Sequence, residues 1–276
     1  MNENAPTSSS QVRATREGVW LALALAWVAG FVDVTGYLAI VQVFTSHMSG
    51  NSVAMMAFLT QHKWSEAFRR AFPIPLFVLG IIGGTALEIS MSRRHLRRQL
   101  SICLLLEAGL LIAFLICGIK GLRAEASHAI PIRMSYTLTA ILALAMGVQT
   151  SAMRRVWGRP VHTTFVTGML TLFAEAATVL LFYGYDGLRK RASTRTNPDR
   201  SKQLRRLFFY GGIWVAFVFG AVSGGYGAER WGLFAIFAPL CALVAIILYD
   251  LKWPVTGGVG IKRRDVENRG EFEQFG

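Results

Sequence analysis

The segment Gly30 to Asn51, GFVDVTGYLAIVQVFTSHMSGN, constrains the rest of the chain. It sits in an apolar run that begins at Val19 and is long enough to cross a bilayer. One carboxylate, Asp33, stands well inside that run. The run stops in a polar, glycine-containing patch, Phe44-Thr45-Ser46-His47-Met48-Ser49-Gly50-Asn51, and another apolar stretch begins at Ser52. Non-helical backbone survives at membrane depth only where it packs in protein or lines a cavity. A lone acid beside such a break is a common way to build a site for a small solute.

Composition agrees. The 276 residues are 53% hydrophobic with only 16% charged, against about 25% charged in soluble domains. Mean hydropathy is +0.41, and the apolar residues come in long blocks. The expected fold is all-α, a polytopic membrane helix bundle of about six to eight membrane elements. The net charge of +13 does not point to nucleic acid. Lys and Arg fall in loops between apolar blocks, as the positive-inside rule places them, without aromatic interleaving. Cys103, Cys117 and Cys241 lie inside apolar blocks without metal-ligand spacing and read as small core residues. Arg13 and Arg16 before an apolar stretch resemble the start of a signal peptide. The stretch is too long, lacks a clean cleavage site and carries Asp33, so it is expected to stay as the first helix.

Residues 1–18 are expected to be a disordered tail, 19–250 a membrane domain and 251–276 a mobile tail. Within the domain the pattern starts twice. The expected elements of the first half are 19–43, a short 49–61, 71–91 and 100–119. Those of the second are 134–156, 168–183, 207–227 and 231–250. Thr45-Ser46-His47-Met48-Ser49-Gly50 can be laid over Thr163-Thr164-Phe165-Val166-Thr167-Gly168, and Gly80 with Gly84 answers Gly220 with Gly224. Two internal repeats, 19–119 and 134–250, are therefore expected, each with a polar break after its first helix. Four crossings per half would make the repeats parallel and three would make them inverted.

Asp33 is the first candidate site residue. It continues the small-residue face of Ala22, Ala26 and Gly30, as does Tyr37, so it should look into the bundle. The plainer reading is a structural acid satisfied by neighbouring donors. Thr45, Ser46, His47, Ser49, Gly50 and Asn51 offer hydroxyls, an imidazole, an amide and free backbone groups. A helix starting near Ser49 would aim N–H groups at the pocket, or Ser49 would simply be its N-cap. Gln149, close to where Asp33 falls in the first half, and Thr163, Thr164, Thr167 and Gly168 are the candidates from the second half. Glu107 is isolated, while Glu88 and Glu175 lie nearer their element ends. His47 and His162 both stand at breaks, and a lone histidine is more often a hydrogen-bonding group than a ligand, so no metal is expected. No cofactor is expected, and no HExxH, P-loop, G-x-S-x-G or CxxC pattern marks an enzyme.

Gly30-Phe31-Val32-Asp33 with Phe44 to Asn51, and Gly147-Val148-Gln149 with Thr163-Thr164 and Thr167-Gly168, resemble the motifs of the YoaK family. The resemblance spans roughly Val19 to Asp250. It implies a bacterial inner-membrane protein of a family without an established substrate. Three functions stay open: a small-solute transporter or permease, proton- or cation-coupled through Asp33; a membrane enzyme on an apolar or lipid-borne substrate; and an assembly protein without a solute. A deep lone acid and matched breaks favour transport. The partners expected are the lipid bilayer and a small polar solute, with an oligomer left open.

Overall fold

In a computed structural model the described residues are 8–40, 42–94, 96, 98–124, 131–156, 166–188 and 200–253. They are helical, with no strand among them. The helices are α1 (Ser8–Ala39), α2 (Met48–Thr60), α3 (Trp64–Ala71), α4 (Pro73–Arg93), α5 (Gln99–Ala124), α6 (Ile132–Val156), α7 (Val166–Leu188), α8 (Arg200–Trp231) and α9 (Phe237–Lys252). A short 3-10 turn, Gly232–Ile236, joins the last two. Gly232 adopts a φ of +56°, a left-handed conformation that glycine takes without strain and that lets the chain reverse there. Among the described residues, six stretches are long and apolar enough to cross a membrane, the last of them holding both α8 and α9. The chain is thus a polytopic membrane helix bundle.

One boundary and one element differ from expectation. α1 starts at Ser8, inside the stretch expected to be disordered. Residues 8–17 contain neither Gly nor Pro, and a helix already nucleated in the membrane extends at little cost through such residues. α3 was not expected. Its sequence, WSEAFRRA, places Ala67 in the interior, leaves Trp64 and Phe68 exposed, and pairs Arg69 with Glu66 at 3.3 Å. Aromatic and basic residues on one short helix suit a membrane–water boundary.

Helix directions follow from which residues meet. α1 and α8 run the same way: Gly212 lies by Leu23, Gly220 by Trp27 and Gly224 by Phe31. α4 and α6 also run together, with Gly80 by Leu144 and Gly84 by Val148 and Ser151. α5 opposes α6, since Gly118 lies by Leu138 and Gly121 by Met134. α5 also opposes α9, because Ser101 near the start of one bonds Asp250 near the end of the other. α1 opposes α6: Gly36 meets Leu142, while Gln149 reaches Leu25. So α1, α5 and α8 run one way, and α4, α6 and α9 the other.

The two glycine crossings are built alike. At the first, Gly30 of α1 lies against the Phe217 carbonyl of α8, and Gly220 against the Trp27 carbonyl. At the second, Gly147 of α6 lies against the Phe77 carbonyl of α4, and Gly80 against the Leu144 carbonyl. Without Cβ atoms, the backbones approach closely enough for dispersion contacts to hold them where the hydrophobic effect does not act. Leu25, Leu104, Leu111, Leu142 and Met146 fill the core between the crossings.

Gly84→Leu and Gly224→Leu should each lower the folded yield in detergent and destabilise the protein by about 1–3 kcal/mol, as overpacking does. Gly109→Ala, where an added Cβ meets nothing within 4 Å, should melt within a few degrees of wild type. Thermal unfolding followed by circular dichroism measures both. Equal melting temperatures for all three would show that these crossings are not tightly packed.

Candidate functional site

α1 ends where Gln42 turns left-handed at a φ of 53° and its N–H bonds the Tyr37 carbonyl at 3.0 Å. The chain then doubles back until Thr45, Ser46 and His47 stand beside Asp33, more than a turn inside the helix. Asp33 is buried, and three donors meet its Oδ1: the Thr45 N–H at 2.7 Å, the Thr45 hydroxyl at 2.8 Å and the Ser46 N–H at 2.9 Å. Its Oδ2 lies 2.5 Å from Nδ1 of His47. A buried carboxylate without donors would be costly. Here one side chain satisfies two backbone N–H groups that the break would otherwise leave unpaired.

The break is clasped a second time. Asn51 is buried and bridges Phe44 both ways: its Nδ2 donates to the Phe44 carbonyl at 2.7 Å, and its Oδ1 accepts the Phe44 N–H at 3.2 Å. The Phe44 ring stacks on Tyr37 at 4.8 Å and covers Gly50, whose missing side chain leaves room for it. His47 rests between Phe44 at 5.8 Å and Phe217 of α8 at 5.4 Å. Phe217 is the residue whose carbonyl meets Gly30. The helix crossing and the polar break therefore share one aromatic contact.

With Oδ2 of Asp33 as acceptor, the hydrogen between them belongs to His47 Nδ1, and Nε2 is left for another partner. The imidazole is about a third exposed, whereas Asp33 is almost wholly covered. Such a pair can accept a proton at Nε2 and stabilise the resulting imidazolium with the carboxylate behind it. It is not a hydrolytic triad. Ser46 Oγ lies 3.1 Å from the same Nδ1 that Asp33 occupies, whereas a nucleophile must sit on the opposite nitrogen.

The remaining candidates separate. Ser49 is exposed and does not cap α2. That helix begins at Met48 with His47 in the cap position and no side-chain capping bond. Gln149 is fully buried but bonds the Leu25 carbonyl at 3.4 Å. Leu25 lies two turns of α1 from Asp33, about 12 Å at 1.5 Å per residue. Thr163 and Thr164 lie outside the described residues. Thr167 and Gly168 are in the first turn of α7, where Thr167 is exposed and its carbonyl accepts the Thr171 hydroxyl. Glu175 is exposed on α7, and Glu88 is buried on α4.

Two residues were not singled out from sequence. Thr35 donates to the Gly224 carbonyl at 3.2 Å, tying α1 to α8. Phe217 closes over His47, and a signal for it exists in the Phe-Val-x-Gly pattern shared by Phe77–Gly80 and Phe217–Gly220. An apolar cleft of about 350 Å³ lies elsewhere, between Trp20, Leu21 and Ala24 of α1 and Ala245, Ile246 and Tyr249 of α9. It is lined almost wholly by carbon, without convergent polar groups to orient a polar solute.

An integral membrane bundle with an acid-anchored break is the class that this fold and site define. The family model described as "Protein of unknown function (DUF1275)" matches residues 21–249, and the chain belongs to that family. It is similar to UPF0700 transmembrane protein YoaK of Bacillus subtilis (strain 168), with 27% identity over 159 residues, 58% of this chain and 67% of the relative. No solved structure matches.

Asp33→Leu would leave the donors on Thr45 and Ser46 without their acceptor and should cost about 3–5 kcal/mol, as breaking a buried charged pair does. Asp33→Asn keeps an acceptor for Thr45 and Ser46 and should cost about 1–2 kcal/mol. Chemical or thermal denaturation in detergent compares them. A Leu variant as stable as wild type would mean that the break holds itself without Asp33.

Proposed function

We propose that this chain is a small-solute permease of a bacterial inner membrane, built as two inverted repeats and coupled to protons through Asp33 and His47. The observation that carries this reading is the Asp33–His47 pair: a buried acid behind a part-exposed imidazole, at an unwound point of a membrane bundle. Breaks of that kind, with an ionisable group beside them, are where secondary transporters hold solute and coupling ion.

The matched crossings support the repeat. Gly30 corresponds to Gly147, Phe217 to Phe77 and Gly220 to Gly80, with the same carbonyl approaches at each, while Gly224 meets the Phe31 carbonyl and its counterpart Gly84 meets the Ser151 side chain. α1 opposes α6, and α4 opposes α8. That is the inverted relation that an odd number of crossings per half produces. α2 is too short to cross alone at 13 residues. It is read as a half-helix leaving from the level of Asp33.

Charge supports the orientation. α4 ends and α5 begins near Arg93, Arg94 and Arg98, and α8 begins with Arg200, Lys202, Arg205 and Arg206. The directions above bring these to the end that also holds the start of α1 and Lys252. The opposite end carries fewer, among them Lys63, Arg69, Arg70 and Arg230. The richer end is assigned to the cytoplasm.

Uptake into proteoliposomes tests the reading, with a candidate solute first found by binding-induced thermal shift. Wild type should accumulate solute in response to a pH gradient. His47→Gln keeps an N–H donor for Asp33 but cannot take up a proton. It should fold and equilibrate solute, with accumulation driven by the gradient falling at least tenfold. Full, gradient-driven accumulation by His47→Gln would exclude the imidazole as the coupling group.

A further inference from the structure

Glu107 of α5 is fully buried, and neither carboxyl oxygen has a hydrogen-bond partner among the described residues. Gln149 of α6 is equally buried. Its Nε2 is committed to the Leu25 carbonyl, and its Oε1 has no partner among the described residues. Native interiors rarely leave such oxygens unpaired, so a buried cluster of them calls for a missing hydrogen or ion.

The helix register brings the two residues to one level. α5 and α6 are antiparallel, with Gly121 beside Met134 and Gly118 beside Leu138. Continued along both helices, that pairing sets Glu107 opposite Gln149. The faces agree as well. Leu104, Glu107, Leu111 and Phe114 form one buried stripe of α5, and Leu138, Leu142, Ala145 and Gln149 form one buried stripe of α6.

Among the described residues, no Lys or Arg lies within the membrane stretches that pack around Glu107. Residues 19–39, 73–92, 99–119, 134–153 and 237–251 contain no Lys or Arg. The other titratable groups on the packed elements lie away from this level, except Cys241 of α9, which is about one turn off and exposed. On α5, Cys103 is one turn toward the end where α4 and α5 join. On α9, Tyr249 and Asp250 lie at that same end, where Asp250 bonds Ser101. On α4, Glu88 also lies toward it, as do Arg154 and Arg155 at the close of α6. Tyr136 of α6 is near the opposite end, and Asp33 of α1 is about 12 Å along its helix from Leu25.

We propose that Glu107, with Gln149 as its acceptor, is a second proton-binding site buried in the bundle, separate from Asp33 and His47. A bound proton makes Glu107 a neutral acid. Its O–H then donates to Gln149 Oε1, which satisfies that oxygen and removes a charge from an apolar seam in one step. Releasing the proton leaves a carboxylate facing an amide oxygen, so the bundle must open to water or admit a cation for release to occur. The site is independent of whether the chain carries a solute.

Infrared difference spectroscopy of the full chain in bilayers tests this, comparing wild type with Glu107→Gln and Gln149→Leu. At neutral pH, wild type should show the carbonyl stretch of a neutral carboxylic acid, shifted by deuteration and absent from Glu107→Gln. Gln149→Leu should keep the band but move it to higher frequency, because its acceptor is gone. Raising the pH should replace it reversibly with carboxylate bands. If Glu107→Gln does not fold, carbon-13 labelling of glutamate in wild type and Gln149→Leu gives the same assignment. Four results would overturn the proposal: no band assignable to Glu107; a band that Gln149→Leu leaves unmoved; one that never titrates before unfolding; or one erased by sodium at fixed pH, which would make this a cation site.

Discussion

The carboxylate of Asp33 holds the first break in place, and much of the surrounding structure depends on it. A membrane helix that unwinds at depth exposes N–H groups where no water can meet them. Asp33 accepts two of these, from Thr45 and Ser46, together with the Thr45 hydroxyl. This allows the chain to return into the bundle after Gln42 and restart as α2. The same carboxylate turns the His47 ring, so the group that gives the break its structure also sets its chemistry. The acceptor capacity of Asp33 goes to the break, and Nε2 of the part-exposed His47 is the position that the proposed proton exchange would use.

The break in turn depends on the glycine crossings. Gly30 sits three residues before Asp33, at the point where α1 touches the backbone of α8. A side chain there would push away Phe217, whose ring lies against His47. Packing between helices is therefore linked directly to the position of the imidazole. Sliding or rocking of α8 along α1 would move Phe217 against His47. In a permease of inverted repeats, such motion exchanges the outward and inward states.

Much of this could be read from the residues. Asp33 announced itself as an acid in an apolar run, and the face it shares with Ala22, Ala26 and Gly30 pointed it inward. The paired glycines of α4 and α8 marked the crossings by spacing alone. The partners joined over long chain distances were less accessible, because nothing local in Thr35 or Phe217 names Gly224 or His47. α3 escaped notice because eight residues with alternating charge and aromatics look like a loop until the boundary of the bilayer organises them. Glu107 is surrounded by leucines in the sequence, and its relation to Gln149 emerges only from the register of α5 on α6. Gln149 was assigned to the neighbourhood of Asp33 by likeness of motif. Its side chain instead bonds the Leu25 carbonyl, because α6 runs against α1 and sets Gln149 two turns of α1 away from Asp33.

Asp33 holds the His47 ring through Nδ1. Nitrogen-15 NMR of histidine-labelled protein in bilayers reads this bond directly, with the His47 signals assigned by their loss in His47→Gln. Wild type at alkaline pH should show a protonated, strongly hydrogen-bonded Nδ1 and a bare Nε2, with a large change in both signals in Asp33→Asn. His47 signals that are the same in wild type and Asp33→Asn would contradict it.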